Sequence, residues 1–128
     1  MKVLRVGIAS YEEMKARTIA IARGEHRPAA DEPKVWFPSA ESFARVLSDK
    51  NRALLHVIAE ARPNSLNELA DLTGRKKSNL SRTLKTMSQY GLIVVKKGER
   101  GSIIPRVPYQ TISLVMPLAT TKGKTRAA

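Results

Sequence analysis

Residues 65–106 read SLNELADLTGRKKSNLSRTLKTMSQYGLIVVKKGERGSIIPR, and the spacing inside this stretch decides what fold to expect. Ser65 followed three residues later by Glu68 is a capping-box pattern, so a helix is expected to start there. Leu66, Leu69 and Ala70 then recur at helical spacing until Gly74 and the polar residues after it end the helix. Ser78 is expected to cap a second, longer helix closing at Gly91, the residue type that best tolerates a left-handed C-terminal cap. Beyond Gly91 the pattern turns to the β-type residues Ile93, Val94 and Val95, then a turn over 98–101, then Ser102, Ile103 and Ile104.

On the second helix, 100° per residue puts Leu80, Leu84 and Met87 in one inward stripe flanked by Thr83. The opposite face carries Ser78, Arg82, Lys85 and Gln89, with Asn79 and Thr86 beside it. Such side chains can hold phosphates or read base edges in a major groove, which is wide enough for one helix. A lone basic helix face is more often just solvated surface. Here the preceding helix, the turn and the basic hairpin all agree with one arrangement, a helix-turn-helix followed by a wing. Charge concentrates in the same place. Between positions 75 and 106 there are nine basic residues against Glu99 alone, a block of +8 within a total of +12 over 128 residues, so the remaining chain supplies only +4. That clustering is the footprint expected for a polyanionic partner. An anionic membrane is disfavoured because the charges fall on a helix and hairpin without a large exposed apolar face.

Residues 50–106 resemble the winged-helix domain of MarR- and ArsR-type transcriptional regulators. The matching phrases are NELADLTG for the first helix of the motif, SNLSRTLKTMSQYGLI for the recognition helix into the first wing strand, and KKGERG for the wing. The resemblance implies a double-stranded DNA partner. In overall layout the chain is also similar to short predicted regulators of bacteria and archaea that sit beside toxin-like genes, which implies an antitoxin role with a toxin protein as partner. Many ArsR-type regulators sense metals through cysteines; this chain has none, so that mode of control does not carry over and disulfides and thiolate sites are excluded.

Working outward, residues 2–9 alternate loosely and read as a strand, and Ser10 with Glu13 opens a helix to about Arg23 with Tyr11, Met14, Thr18 and Ile21 along one side. Residues 25–38, with Pro28, Pro33 and Pro38, read as a connecting loop anchored by Trp36 and Phe37. Ser39 is expected to cap a short helix with Phe43 and Leu47 inward. Asp49 is expected to cap the next, from 50 to about 62, with Leu54, Val57 and Ile58 inward and Arg52, His56 and Glu60 on a solvated stripe. After the wing, Pro105 suits a strand end or edge, and residues 111–118 alternate as a strand able to pair with the N-terminal one within a chain or between two. The expected fold is mostly α with a small β component, an α+β winged helix-turn-helix. It divides into an N-terminal strand-helix extension (1–38) suited to dimerisation or partner binding, a DNA-binding domain with a C-terminal strand (39–118), and a basic disordered tail (119–128).

No catalytic constellation emerges. His26 and His56 lack metal-ligand or triad spacing, no glycine-rich phosphate loop occurs, and Ser78 and Ser81 suit a cap and a groove-facing hydroxyl better than a nucleophile. The expectation is a non-enzymatic regulator without a cofactor or metal. With no signal-type segment or membrane-length apolar run, it is expected to be cytoplasmic. Base-edge contacts are expected from Asn79 and Arg82. Phosphate or flanking contacts fall to Ser78, Ser81, Lys85 and Gln89, with Arg75, Lys76 and Lys77 in the turn beside the backbone and Lys96, Lys97, Arg100 and Arg106 on the wing. A homodimer would read an inverted repeat. RNA binding is the further alternative, disfavoured because the expected contact face has almost no aromatic residues for stacking.

Overall fold

Alternating Leu4, Val6 and Ile8 with Val3, Arg5 and Gly7 gives the first strand, β1 (Val3–Ile8), two kinds of face, and both of its neighbours come from far along the chain. The structure, a computed structural model, describes residues 2–118. The basic tail expected at 119–128 lies outside the described residues. Helix α1 (Tyr11–Ala22) follows, with Ser10 accepting from the Glu13 N–H at 3.1 Å and the Glu13 carboxylate returning to the Ser10 N–H at 2.7 Å, the full capping box. The segment expected as a loop then contains β2 (Val35–Phe37), which pairs parallel to β1, Gly7 opposite Trp36 and Ile8 opposite Phe37. Three residues are too few to show a period, and the pairing partner lies almost thirty positions away, roughly the separation a crossover helix requires. Strand β5 (Thr111–Val115) completes a parallel sheet in the order β2-β1-β5, so the pairing between the two ends of the chain occurs within one molecule.

The sheet's two faces meet different surroundings. Leu4, Val6 and Phe37 join one apolar cluster with Leu47, Leu54, Ile58, Leu69, Leu80, Leu84, Met87, Leu92 and Ile93. On the other face Trp36 lies over Gly7 so closely that a Cβ there would be 2.6 Å from the indole, which is why the position takes glycine. The Arg17 guanidinium of α1 sits 5.2 Å from the Trp36 ring centre, donates to Glu32 at 2.7 Å and lies 3.0 Å from the His26 ring nitrogen. Glu32 also accepts from the Ala29 N–H at 2.9 Å; that backbone bond first, and the Arg17 contact next, lower its carboxyl to about 2. No residue of α1 itself is buried.

The helical body consists of α2 (Ala40–Val46), α3 (Asp49–Ala61), α4 (Leu66–Thr73) and α5 (Lys77–Gln89), followed by an antiparallel hairpin, β3 (Val94–Lys97) and β4 (Ile103–Arg106). Ser39 caps α2 as expected, but α3 is capped by Ser48, whose hydroxyl accepts from the Asn51 N–H at 3.2 Å. Asp49 is instead the first helical residue and pairs with Arg52. Ser65 caps α4. Its Glu68 carboxylate accepts from the Asn64 N–H at 3.3 Å, one residue before the position a capping box uses. Helix α5 begins at Lys77 with Lys76 at the cap and no side-chain capping bond, so Ser78 is an exposed first-turn residue and not the cap. Its inward stripe is Leu80, Leu84 and Met87, and Gly91 adopts the left-handed φ of +75° expected there.

Phe37, with no exposed surface, stacks on Tyr90 at 4.2 Å and meets Phe43 edge-on at 5.2 Å, tying the sheet to the end of α5. The core therefore crosses the boundary expected at residue 38: the first 38 residues supply two strands and core side chains to the same body. The fold is α+β, with five α-helices and five strands among the described residues. Among those residues no helix is long and apolar enough to cross a membrane.

Candidate nucleic-acid interface

With Leu80, Leu84 and Met87 held under the body, the rest of α5 turns outward: Lys76, Lys77, Ser78, Ser81, Arg82, Lys85 and Gln89 are all exposed. Of these, Lys76, Lys77, Arg82 and Lys85 form no ion pair among the described residues. Four unneutralised cations on and beside one face raise the local potential and favour an anionic partner.

The hairpin supplies a second cationic strip. Lys96 and Lys97 are exposed at the end of β3, and Arg100 is exposed in the tip between the strands. The tip is tight. The Gly98 N–H donates to the Ser102 carbonyl at 2.8 Å, and a Cβ on Gly98 would come within 2.6 Å of the Ser102 hydroxyl. Arg100 takes a left-handed φ of +59°, uncommon for a residue with a Cβ, and stays exposed at the tip.

Three of the thirteen expected contact residues are engaged inside the protein. Arg75 turns back onto α5: its Nε and one terminal nitrogen donate to the Asn79 side-chain oxygen at 2.9 and 2.7 Å. The same terminal nitrogen reaches the Thr83 hydroxyl at 3.2 Å, and the other approaches Asn51 of α3 at 3.4 Å. Arg75 thus clamps the α4–α5 turn, and Asn79 keeps only its NH2 group for an outside partner. An adenine edge read by Asn needs that oxygen as well, so the bidentate contact expected of Asn79 is not preformed. Arg106 donates to the Pro63 carbonyl at 2.6 Å and to Asn64 at 3.0 Å, latching β4 to the α3–α4 turn and away from the hairpin tip. Neither engagement is visible in the sequence, because guanidiniums meant for water and for carbonyl oxygens look the same.

Sequence reasoning passed over Arg45. It lies on α2, outside the basic block, yet lines a notch of about 250 Å³ together with Arg82. A larger open cleft of about 680 Å³ runs between α3 and the sheet, with Leu4, Leu55, Ile112, His56 and Tyr109 among its walls. The stripe expected to face only solvent, Arg52, His56 and Glu60, is one side of it. Among the described residues no group of three His, Cys, Asp or Glu side chains is placed to hold a metal ion.

No curated protein and no solved structure matches this chain. The family model HVO_A0114 matches residues 46–114, a segment running from the end of α2 through α4, α5 and the hairpin into β5. That segment is just over half of the sequence, and by this match the chain belongs to the HVO_A0114 family.

Proposed function

We propose that the protein is a double-stranded DNA-binding transcriptional regulator in which α4 and α5 act as a helix-turn-helix and the β3–β4 hairpin as its wing. One observation carries the reading: α5 buries its apolar stripe completely while its cationic side and the adjoining hairpin lysines remain exposed and unpaired. The helix enters the major groove with Arg82 at base edges, its five-donor fork suited to guanine. Lys76, Lys77, Lys85, Lys96, Lys97 and Arg100 hold phosphates, with Ser78, Ser81 and Gln89 as neutral donors. Two copies read an inverted repeat with half-sites about 34–36 Å apart. Support for pairing of copies comes from β5, an edge strand uncharged throughout, with Leu114 and Val115 exposed.

Duplexes selected from a random pool test this reading. Arg82→Ala is expected to cost about 1–3 kcal/mol and blur the selected sequence, whereas Lys97→Ala weakens all duplexes alike and flattens the salt dependence. Indistinguishable effects from the two substitutions refute the assignment.

The antitoxin reading is supported by the exposed apolar side chains of Tyr11 and Ile21, which lie along one side of α1 and which a protein partner would cover. Co-purification with the product of an adjacent gene, lost on Ile21→Lys, distinguishes it. Deleting residues 1–38 is no test, since it removes Val6 and Phe37 from the core.

A further inference from the structure

We propose that the notch between α2 and α5 seats one backbone phosphate of bound DNA, with Arg45 as the ligand that α2 contributes; the inference rests on the DNA-binding reading above. Arg45 of α2 and Arg82 of α5 both line it, together with Asn51, Asn79, Thr83 and Thr86. Most of the polar groups there are already committed. Asn79 and Thr83 accept from Arg75, and Asn51 donates to the Val46 carbonyl at 3.0 Å while facing Arg75 with its oxygen. What remains unengaged is cationic or neutral: the Arg45 and Arg82 guanidiniums, neither with a hydrogen bond or ion pair among the described residues, and the Thr86 hydroxyl. No acidic residue lines the notch.

Two arginines line the notch with no acidic residue among its lining, so an anion there is attracted by both; Arg82 keeps its fork for base edges and contributes charge, while Arg45 makes the phosphate contact. The space fits the anion. A water molecule takes about 30 Å³ of liquid volume, so a notch of about 250 Å³ admits a phosphodiester group with part of its hydration. Guanidinium matches phosphate oxygens with paired parallel donors, a geometry lysine cannot supply. The DNA backbone is the source because the notch opens on the flank of α5 and shares Arg82 with it, where the phosphates bordering a groove-bound helix pass.

The test compares the full-length protein with Arg45→Ala and Arg45→Lys on one selected duplex. Arg45 is exposed near the end of α2, and matching thermal melts verify that the variants fold. Arg45→Ala is expected to lose roughly five- to tenfold in affinity on every duplex sequence and to reduce the log–log salt slope by about 0.9, the size of one phosphate contact. Ethylation of a single phosphate per half-site interferes with the wild type and not with Arg45→Ala. Arg45→Lys keeps the salt slope while losing part of the affinity. A wild type that binds duplex DNA with Arg45→Ala equal to it in affinity, slope and ethylation pattern overturns the proposal and leaves the regulator reading standing. A wild type that ignores all duplexes refutes both. In a separate arm, inorganic phosphate that shifts the Arg45 side-chain NMR resonance as far as duplex does overturns the backbone assignment in favour of a free phosphorylated ligand.

Discussion

Replacing Arg75 with alanine separates a clamp within the protein from a contact to DNA. Its two bonds to the Asn79 oxygen, at 2.9 and 2.7 Å, converge on one acceptor and act as a single bidentate contact. A hydrogen bond from a charged donor contributes about 1.5–3 kcal/mol, and the partial exposure of Arg75 favours the lower end. The Thr83 bond at 3.2 Å adds about 0.5 kcal/mol, and the 3.4 Å approach to Asn51 is too long to add much. Arg75→Ala is therefore expected to lower stability by about 2 kcal/mol, a fall in Tm of roughly 8 °C for a chain of this size. Urea denaturation measures this directly: the midpoint shifts while the slope stays constant, because the surface exposed on unfolding barely changes. Arg75→Lys keeps the charge but not the fork and recovers less than half of the loss. The DNA salt slope is expected to stay at the wild-type value. An unchanged urea midpoint together with a salt slope reduced by about 0.9 refutes the clamp and puts Arg75 on a phosphate.

Two further perturbations probe the sheet side. Gly7→Ala places a methyl group 2.6 Å from the Trp36 ring and 3.0 Å from Pro33, so the indole must move. The expected cost is about 1–3 kcal/mol. It comes with a red shift in the emission of Trp36, the chain's single tryptophan; unaltered emission and stability refute the packing. Glu32 has its carboxyl lowered from 4.5 to about 2, so its contribution is fully present above about 4.5 and is lost as pH falls through about 2. Glu32→Gln is thus expected to melt below the wild type at neutral pH, with the gap narrowing between pH 4.5 and about 2. A gap constant across that range shows that the ionised Glu32 carboxylate, held first by the Ala29 N–H and next by Arg17, is not what holds the 26–36 segment.

Much of the candidate surface was legible residue by residue. The Leu80–Leu84–Met87 stripe orients α5 whatever it packs against, so the exposure of Arg82, Lys85 and Gln89 followed from the 3.6-residue period alone. The N-cap of α4, the glycine closing α5 and the glycine-bounded hairpin tip are likewise local, each set by residues within four positions. The cap of α3 was misplaced by one residue: Asp49 was expected there, and Ser48 holds the position, its hydroxyl accepting from the Asn51 N–H.

What the sequence determined by itself was the set of helices, the basic hairpin and the place where positive charge accumulates, because those depend on short-range period and composition. Only the tertiary structure decided that β2 exists, that Arg75 and Arg106 are bonded to neighbouring protein groups, and that Arg45 and Arg82 line one notch. Each of these joins residues more distant in the chain or depends on where a long side chain finds an acceptor. A guanidinium reaches several ångströms from its backbone, so its partner is chosen by the packing of whole elements. Sequence position alone does not carry that information.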